Sequence, residues 1–395
     1  MIASRFPFAF VLGMILAAGP SSNACPFCSS QGQTLSGEVN QANLIIYGTL
    51  SDAKRDPNEF GKGTTEMTIE VVVKDHEFLQ GRKAITLPRY VPPDPKRPAK
   101  YLVFCEVFKG QLEPYRGENV APDSKIAEYL KGAIAVRGKG PERLPFFFKY
   151  LDSPDGVISS DAYMEFGNAE DKEVQKVAQE FPADKLVKWL KDPNTPPSRF
   201  GLYGSLLGHC GNLKEHAPLL RQLLDDPKKR FSSGIDGMLA GYIMLDPKEG
   251  WKYLRGLLAD EKQEFLIRYA ALRTVRFFWE FRRDVIPQAD AVHAMELLLD
   301  QGDIADLPID DLRRWGRWEL TAKILALYGT KTHNIPIVKR SIVRFALSAP
   351  ADNALAAAFV KRRRVEEPDR VRDIEQLLEL EKAPLPVPKT PEGKK

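Results

Sequence analysis

The chain has 395 residues, of which 43% are hydrophobic and 28% are charged. These values are typical of soluble globular proteins, and the length allows two or three units that each have a hydrophobic core. The 57 basic residues are nearly balanced by 53 acidic ones, so the formal net charge is only +4. This balance excludes the strong basic field of typical nucleic-acid-binding proteins, and we expect no nucleic acid among the partners.

The first 24 residues have the layout of a signal peptide. Arg5 supplies a positive charge, and residues 6–18 form an apolar run of 13 residues that is interrupted once by proline. The run is too short to span a bilayer, and small residues precede a cleavage point after Ala24. We therefore expect export to the periplasm or beyond the cell, with no membrane span in the mature chain. Lipidation of Cys25 is the alternative.

Four cysteines are available for disulfide bonds in an exported chain, namely Cys25, Cys28, Cys105 and Cys210. We predict one structural bridge, either between Cys25 and Cys28 or from one of them to Cys105. A bridge of this kind contributes roughly 2–4 kcal/mol to stability. Cys210 lies far downstream and is expected to be a free thiol or the partner in a second bridge.

Cys25 and Cys28 also form a Cys-x-x-Cys motif, which dithiol oxidoreductases use. A thioredoxin-like fold needs a strand before this motif, and signal cleavage would leave no residue there. Haem attachment needs a histidine after the second cysteine, where this chain has Ser29. A zinc site would need further ligands, and only His76 and Cys105 are close in sequence. We predict no cofactor and no metal, and thiol–disulfide activity remains an alternative.

Residues 25–122 have the alternation and β-branched content of strands. Four segments separated by turn residues carry this pattern: Leu44–Leu50, Thr64–Val73, Ala84–Leu87 and Tyr101–Phe108. A short helix is predicted between Thr34 and Asn43. Short strands joined by loops favour a small β-barrel or sandwich.

The cysteine at the mature N-terminus, the strand Ala42–Leu50 and the strand that ends at Glu70–Val73 resemble netrin-type modules, which have an OB-like barrel. In the metalloproteinase inhibitors of that group, the amino group and carbonyl of the N-terminal cysteine chelate the zinc ion of the target. The resemblance would give this role to Cys25. The Cys-x-Cys start of the group is absent here, so protease inhibition is a further alternative.

After Pro122 the apolar spacing becomes helical and stays so to about residue 382. Leucine-rich helices close at regularly placed aspartates: Asp152, Asp192, Asp225, Asp260 and Asp300. The intervals are 40, 33, 35 and 40 residues, so a unit of two helices recurs about every 37 residues. One such unit cannot bury its own apolar face, and we therefore expect neighbouring units to stack.

The clearest unit comprises Trp251–Glu261 and Ile267–Phe278, and it resembles a HEAT-type repeat. A leucine-rich helix ends at an acidic turn, and an arginine precedes a small-residue pair on the second helix. The resemblance covers residues 123–382 and implies an α-α solenoid. The prediction is therefore a multidomain α+β chain with a proline-rich, disordered tail at residues 383–395.

Basic and aromatic residues alternate over residues 268–283 and 313–318. Helical spacing favours packing of the aromatic residues between repeats, with the arginines solvated or paired to nearby aspartates. A ridge that binds a partner is the alternative. Its candidate residues are Arg268, Arg273, Arg276, Arg313 and Arg317.

No nucleotide-binding loop, serine-hydrolase elbow or zinc-protease motif is present, and no catalytic residue is predicted. His209, Cys210 and His216 are interpreted as a helix terminus with a buried cysteine, beside a loop at Gly208, Gly211 and Asn212. Metal ligation or a thiol–imidazole pair is the alternative. The prediction is an exported, non-enzymatic interaction or scaffold protein with a protein or peptide partner. The alternatives are thiol–disulfide exchange through Cys25 and Cys28, and protease inhibition through Cys25.

Overall fold

The computed structural model describes residues 27, 32–57, 59, 62–92, 99–226 and 234–382. Within these residues the chain belongs to the α+β class, with an antiparallel sheet followed by helices. The signal peptide, the Cys25–Cys28 motif apart from Phe27, and the proline-rich tail lie outside the described residues. Their predicted roles remain predictions.

The sheet has five strands in the order β3-β2-β1-β4-β5. Their bounds are β1 (Leu44–Arg55), β2 (Gly63–Lys74), β3 (Ala84–Leu87), β4 (Lys100–Phe108) and β5 (Gln111–Val120). All neighbouring strands are antiparallel, and the return of β4 beside β1 makes the first four strands a Greek key. In the described residues β3 and β5 are free edges, so a single open sheet replaces the predicted small barrel or sandwich.

Both faces of the first half of β1 are buried, in agreement with its near-continuous apolar run. Ile45 and Tyr47 face the main core of the molecule, whereas Leu44 and Ile46 face a second, smaller core. Three register shifts interrupt the pairing of β1 with β2. Such irregularities bend and twist a strand pair.

Seventeen α-helices occur in the described residues, and all but the first follow the sheet. Their bounds are α1 (Leu35–Glu38), α2 (Ile126–Val136), α3 (Leu144–Phe148), α4 (Gly156–Gly167), α5 (Asp171–Val177), α6 (Ala183–Lys191), α7 (Phe200–Cys210), α8 (His216–Asp225), α9 (Ile235–Leu245), α10 (Pro247–Ala259), α11 (Phe265–Phe281), α12 (Gln288–Glu296), α13 (Asp306–Arg314), α14 (Thr321–Ala326), α15 (Pro336–Ser348), α16 (Ala354–Glu366) and α17 (Pro368–Lys382). Short 3-10 helices lie at Glu77–Leu79, Gly140–Arg143, Ala178–Glu180, Pro197–Arg199, Trp318–Leu320 and Lys331–His333. We call α2–α17 the helical array.

Helix ends follow the capping residues of the sequence. Asp155 accepts hydrogen bonds from two backbone amides in the first turn of α4. Asp246 caps α10 by accepting from the amide of Glu249, and Pro247 occupies its first position. These side chains satisfy amides that have no partner within the helix.

From α6 onward the helices pack in consecutive pairs: α6 with α7, α8 with α9, α10 with α11, α12 with α13, α14 with α15 and α16 with α17. The second helices of neighbouring pairs also contact each other. Contacts between α11 and the next unit keep a constant sequence separation: Arg268 bonds Asp303 and Arg276 bonds Asp311, each 35 residues later. Because both contacts advance in the same direction, α11 and α13 run parallel.

The main core is continuous from the sheet into the array. Ile45 of β1, Tyr129 of α2 and Phe345 of α15 belong to one cluster of buried apolar side chains. The change from strands to helices near residue 122 agrees in position with the predicted boundary. It is not accompanied by a break in this core, and the division into separate domains remains a prediction.

The closest helix contact is a glycine seam between α7 and α9. Its residues are Gly201, Gly204 and Gly208 on α7 and Gly234, Gly237 and Gly241 at α9. A Cβ atom on Gly241 would lie 2.0 Å from the carbonyl oxygen of Gly204, so the two backbones touch without intervening side chains. Helix α7 ends at Cys210, which confirms the predicted helix terminus, and the loop begins at Gly211, whereas the predicted loop at Gly208 is wrong because Gly208 lies inside the helix.

Candidate functional site on the helical array

Two of the five predicted partner-surface arginines are buried inside the array. Arg268 is 4% exposed and binds Asp303 with both terminal nitrogens, at 3.0 and 2.5 Å. The Arg313 side chain is 9% exposed and pairs with Asp310 at 3.0 Å and with Glu381 at 3.2 Å. These two groups hold helices together and are not available to a partner.

Arg273 and Arg276 also form ion pairs between helices. Arg276 lies 2.8 Å from Asp311 of α13. Arg273 Nη2 lies 3.0 Å from Asp236 Oδ2 of α9, although this contact is not aligned as a hydrogen bond. Burial raises the pKa of both aspartates, and the arginines oppose that shift. The pairing of Arg276 with Asp311 agrees with the interpretation favoured by the sequence, in which the arginines are solvated or paired to nearby aspartates.

Arg317 is about as exposed as Arg273 and Arg276, but it belongs to a cluster that the sequence indicated only in part. The rings of Trp279 and Trp315 stack at 4.0 Å with an angle of 11°. The guanidinium carbons of Arg317 and Arg283 lie 5.6 and 5.9 Å from the centroid of the Trp279 ring. We call these four residues the tryptophan–arginine cluster.

The cluster sits where α11 and α13 end. Arg283 Nε donates to the backbone oxygen of Trp279 at 2.8 Å, and Arg317 Nε donates to that of Trp315 at 3.1 Å. These bonds satisfy carbonyl groups at helix C-termini, where positive charge is also favoured by the helix dipole. Both tryptophans are half-buried, Arg283 is exposed, and the Arg317 side chain is 36% exposed.

Cys105 is a free and fully buried thiol in the structure. It faces the second core, whereas Phe27, which adjoins Cys28 in sequence, packs in the main core. The predicted bridge from Cys25 or Cys28 to Cys105 also involves a cysteine outside the described residues, and it remains a prediction. A bridge between Cys25 and Cys28 lies outside the described residues and remains a prediction.

The two described thiols are poorly suited to nucleophilic chemistry. Burial raises the pKa of Cys105 to about 12 and that of Cys210 to about 11. A nucleophilic cysteine needs its thiolate near neutral pH. His209 pairs with Asp171 at 3.1 Å, and both side chains are buried, so this pair links α5 and α7.

Phe27 is anchored on the array. It is 5% exposed, its ring centroid lies 4.7 Å from that of Phe277 in α11, and its carbonyl oxygen adjoins Gly201 of the glycine seam. Further along, Gly32 and Asn168 exchange two hydrogen bonds at the end of α4. The segment before the sheet is thus attached to helices far away in sequence.

A buried carboxylate completes this attachment. Asp161 of α4 accepts from the amides of Leu35 and Ser36 at 2.5 and 3.3 Å and from the hydroxyls of Ser36 and Tyr129 at 2.6 and 2.8 Å. Thr34 donates to Glu165, one turn later, at 2.5 Å. All hydrogen-bonding capacity of Asp161 is used, which indicates a structural role.

A polar surface cleft of about 400 Å³ lies between α8 and α10. Asp225 there accepts from Arg221 at 2.7 Å and from the Tyr253 hydroxyl at 3.0 Å. The Arg221 guanidinium also lies 4.0 Å from the Tyr253 ring centroid. These groups satisfy one another, and the cleft offers no arrangement of acid, base and nucleophile.

The described ranges contain no group of three or more side chains placed to bind a metal ion. Over the same ranges, no helix is both long and apolar enough to cross a bilayer. No protein-family model, no curated protein and no solved structure matches this chain.

Proposed function

We propose that the chain is an exported, non-enzymatic interaction protein whose helices form an α-α solenoid that binds a protein or peptide partner. The observation that carries this proposal is the constant register between second helices. Contacts of α11 with α9 and with α13 recur at nearly the same sequence separation. Repeat proteins have this property because each unit contacts only its neighbours.

Further contacts have similar sequence separations, two between α11 or its C-terminal end and α9 and one between the segments that precede α13 and α15. Thr274 of α11 donates to the backbone oxygen of Asp236, 38 residues earlier. Arg282 donates to the sulfur of Met244, also 38 residues earlier. His333 bonds the backbone oxygen of Leu299 across 34 residues. These separations bracket the period of about 37 residues in the sequence, and they support stacked HEAT-like units.

The strand order supports a second, OB-like module as part of the proposal, because OB folds are five-stranded, partly open Greek-key barrels. Protease inhibition is less well supported. An inhibitory Cys25 would have to enter the active site of another protein, yet Phe27, two residues later, is buried against Phe277. For thiol–disulfide exchange, the remaining candidate residues are Cys25 and Cys28.

Photo-crosslinking tests the proposal. A photoreactive amino acid would replace exposed apolar residues of the array, namely Leu266, Ile337 and Val365, and, as a matched control, Phe108 on the sheet. We expect the same partner to be captured from native cell-envelope extract at one or more array positions. Capture only at Phe108, or at none of the four positions, would contradict a partner-binding array.

The enzymatic alternative has a separate test. Purified protein and a variant with Cys25→Ser and Cys28→Ser would be compared in the reduction of an insulin disulfide by dithiothreitol. We expect equal rates for the two proteins. A rate enhancement that is lost in the variant would favour thiol–disulfide exchange over a scaffold function.

A further inference from the structure

The tryptophan–arginine cluster presents two guanidinium groups whose orientation is fixed but whose outer donors are unused. Each Nε is bound to a backbone oxygen at a helix end, and each guanidinium lies over the Trp279 ring. In the described part of the chain, no hydrogen bond or ion pair is found for the terminal nitrogens of Arg283 or Arg317. Donors held in this way lose little rotamer freedom when a ligand binds.

The chemistry of these donors selects the ligand. A guanidinium fork binds a carboxylate with two parallel hydrogen bonds, and arginine and tryptophan are the residues most often responsible for binding energy at protein interfaces. Because both guanidinium carbons lie within 6 Å of one ring centroid, they are less than 12 Å apart. In an extended peptide, side chains two residues apart point the same way at about 7 Å spacing, so two carboxylates can reach both forks.

Charge complementarity also favours an acidic ligand at this cluster. Glu319 lies 4.0 Å from Arg317 Nε, at the limit of an ion pair. Glu280 and Asp284 are the acidic residues close to Arg283 in sequence; Asp284 is bound by Arg282, and no ion pair between Glu280 and Arg283 is found in the described part of the chain. The two forks are therefore not neutralised within the chain.

We propose that the tryptophan–arginine cluster binds an extended acidic segment of a partner protein, with carboxylates two residues apart held by Arg283 and Arg317. This proposal rests on the proposed function, since it assigns the partner-binding surface of the array. The Trp279–Trp315 stack supplies the flat, half-buried floor against which the ligand backbone packs.

The test uses the full chain and a fluorescein-labelled peptide, Gly-Ser-Glu-Leu-Glu-Ser-Gly, with a matched peptide that has glutamine in place of both glutamates. Binding is measured by fluorescence anisotropy at low and at physiological salt. We expect the acidic peptide to bind and the glutamine peptide to bind at least about tenfold more weakly, since each charge-assisted hydrogen bond is worth about a factor of ten.

Two double variants separate a specific site from general charge. Arg283→Gln with Arg317→Gln should weaken binding of the acidic peptide at least about tenfold. Arg362→Gln with Arg372→Gln removes the same charge from exposed residues that only pair with neighbours on their own helix, and it should leave affinity within about twofold. Circular dichroism and thermal midpoints would verify that both variants are folded.

Equal losses in the two double variants, or equal binding of the two peptides, would overturn the assignment. So would tighter binding of an oligothymidylate than of the peptide at the same residues, because the surface would then recognise nucleic acid. If the Arg283 and Arg317 variant still captures its crosslinked partner as the unaltered chain does, this site is wrong while the interaction function stands. Absence of capture by the unaltered chain at every array position contradicts the proposed function itself.

Discussion

Substitution of Gly241 by alanine tests the glycine seam, where the backbones of α7 and α9 are in direct contact. The new Cβ would meet the Gly204 carbonyl oxygen at 2.0 Å and the Leu220 side chain at 3.2 Å. A carbon and a carbonyl oxygen in contact stand about 3.3 Å apart, so the helices must separate by roughly 1 Å. The obstacle is backbone, and no rotamer change can relieve it.

The magnitude follows from two opposing terms. Overpacking a core by one methyl costs about 1–3 kcal/mol, and the upper end applies to Gly241 because the contact is rigid. Replacing glycine by alanine inside a helix increases the free energy of unfolding by about 1 kcal/mol. We therefore expect a net loss of about 2 kcal/mol in the free energy of unfolding. At about 2.1 cal/mol/K per residue, this lowers the melting temperature of a 395-residue chain by roughly 2–3 °C.

Gly256 provides the matched control. It lies inside α10, is exposed, and a Cβ there would meet no atom within 4 Å. Gly256→Ala should therefore stabilise the chain by up to about 1 kcal/mol. Urea and thermal unfolding of both variants measure the difference. If Gly241→Ala proved as stable as Gly256→Ala, the direct backbone contact between α7 and α9 would be refuted.

Three further predictions concern the N-terminal attachment and the sheet. Because burial raises the pKa of Cys105 to about 12, iodoacetamide at pH near 8 should leave it unmodified in the native chain and alkylate it in urea, as read by peptide mass mapping. Phe27→Ala empties a buried aromatic contact, so we expect a loss of about 3 kcal/mol and faster proteolysis near the N-terminus, while Phe108→Ala, 59% exposed, should change neither. Burial raises the pKa of Glu165, so the stability that this group contributes is full below its unfolded pKa and is lost as pH rises through its folded pKa. Glu165→Gln should therefore flatten the curve of unfolding free energy against pH over that interval. An unchanged curve would show that the carboxyl is not protonated there.

Strands with strong periodicity were predictable from the sequence. The segment Ala84–Leu87 coincides with β3, and Tyr101–Phe108 lies within β4. Strand β5 was not predicted, because Pro114 and Gly117 interrupt its pattern. Strand β5 lies at the edge of the sheet, where proline and glycine are tolerated better than in a central strand.

Helix positions were also well predicted, whereas their contacts were not. The segment Ile267–Phe278 lies within α11, and the segment Trp251–Glu261 overlaps α10. Burial of Arg268 depends on Asp303, and no local pattern reveals such a partner. In the sequence alone, the glycines of α7 resemble turn signals. Their small size is explained only by the close approach of α9, which the sequence does not reveal.

The glycine seam also bears on where the helical array can bend. Between α11 and the residues that follow α12, the contacts include long side chains such as Arg276 and Arg268, which can reorient while keeping their partners. Between α7 and α9 there is no such deformable layer, since main chain lies directly on main chain. We therefore expect the array to bend more easily at junctions such as that of α11 and α13 than at the glycine seam. The affinity of a partner bound at Trp279 and Trp315 would then depend on the curvature of the array.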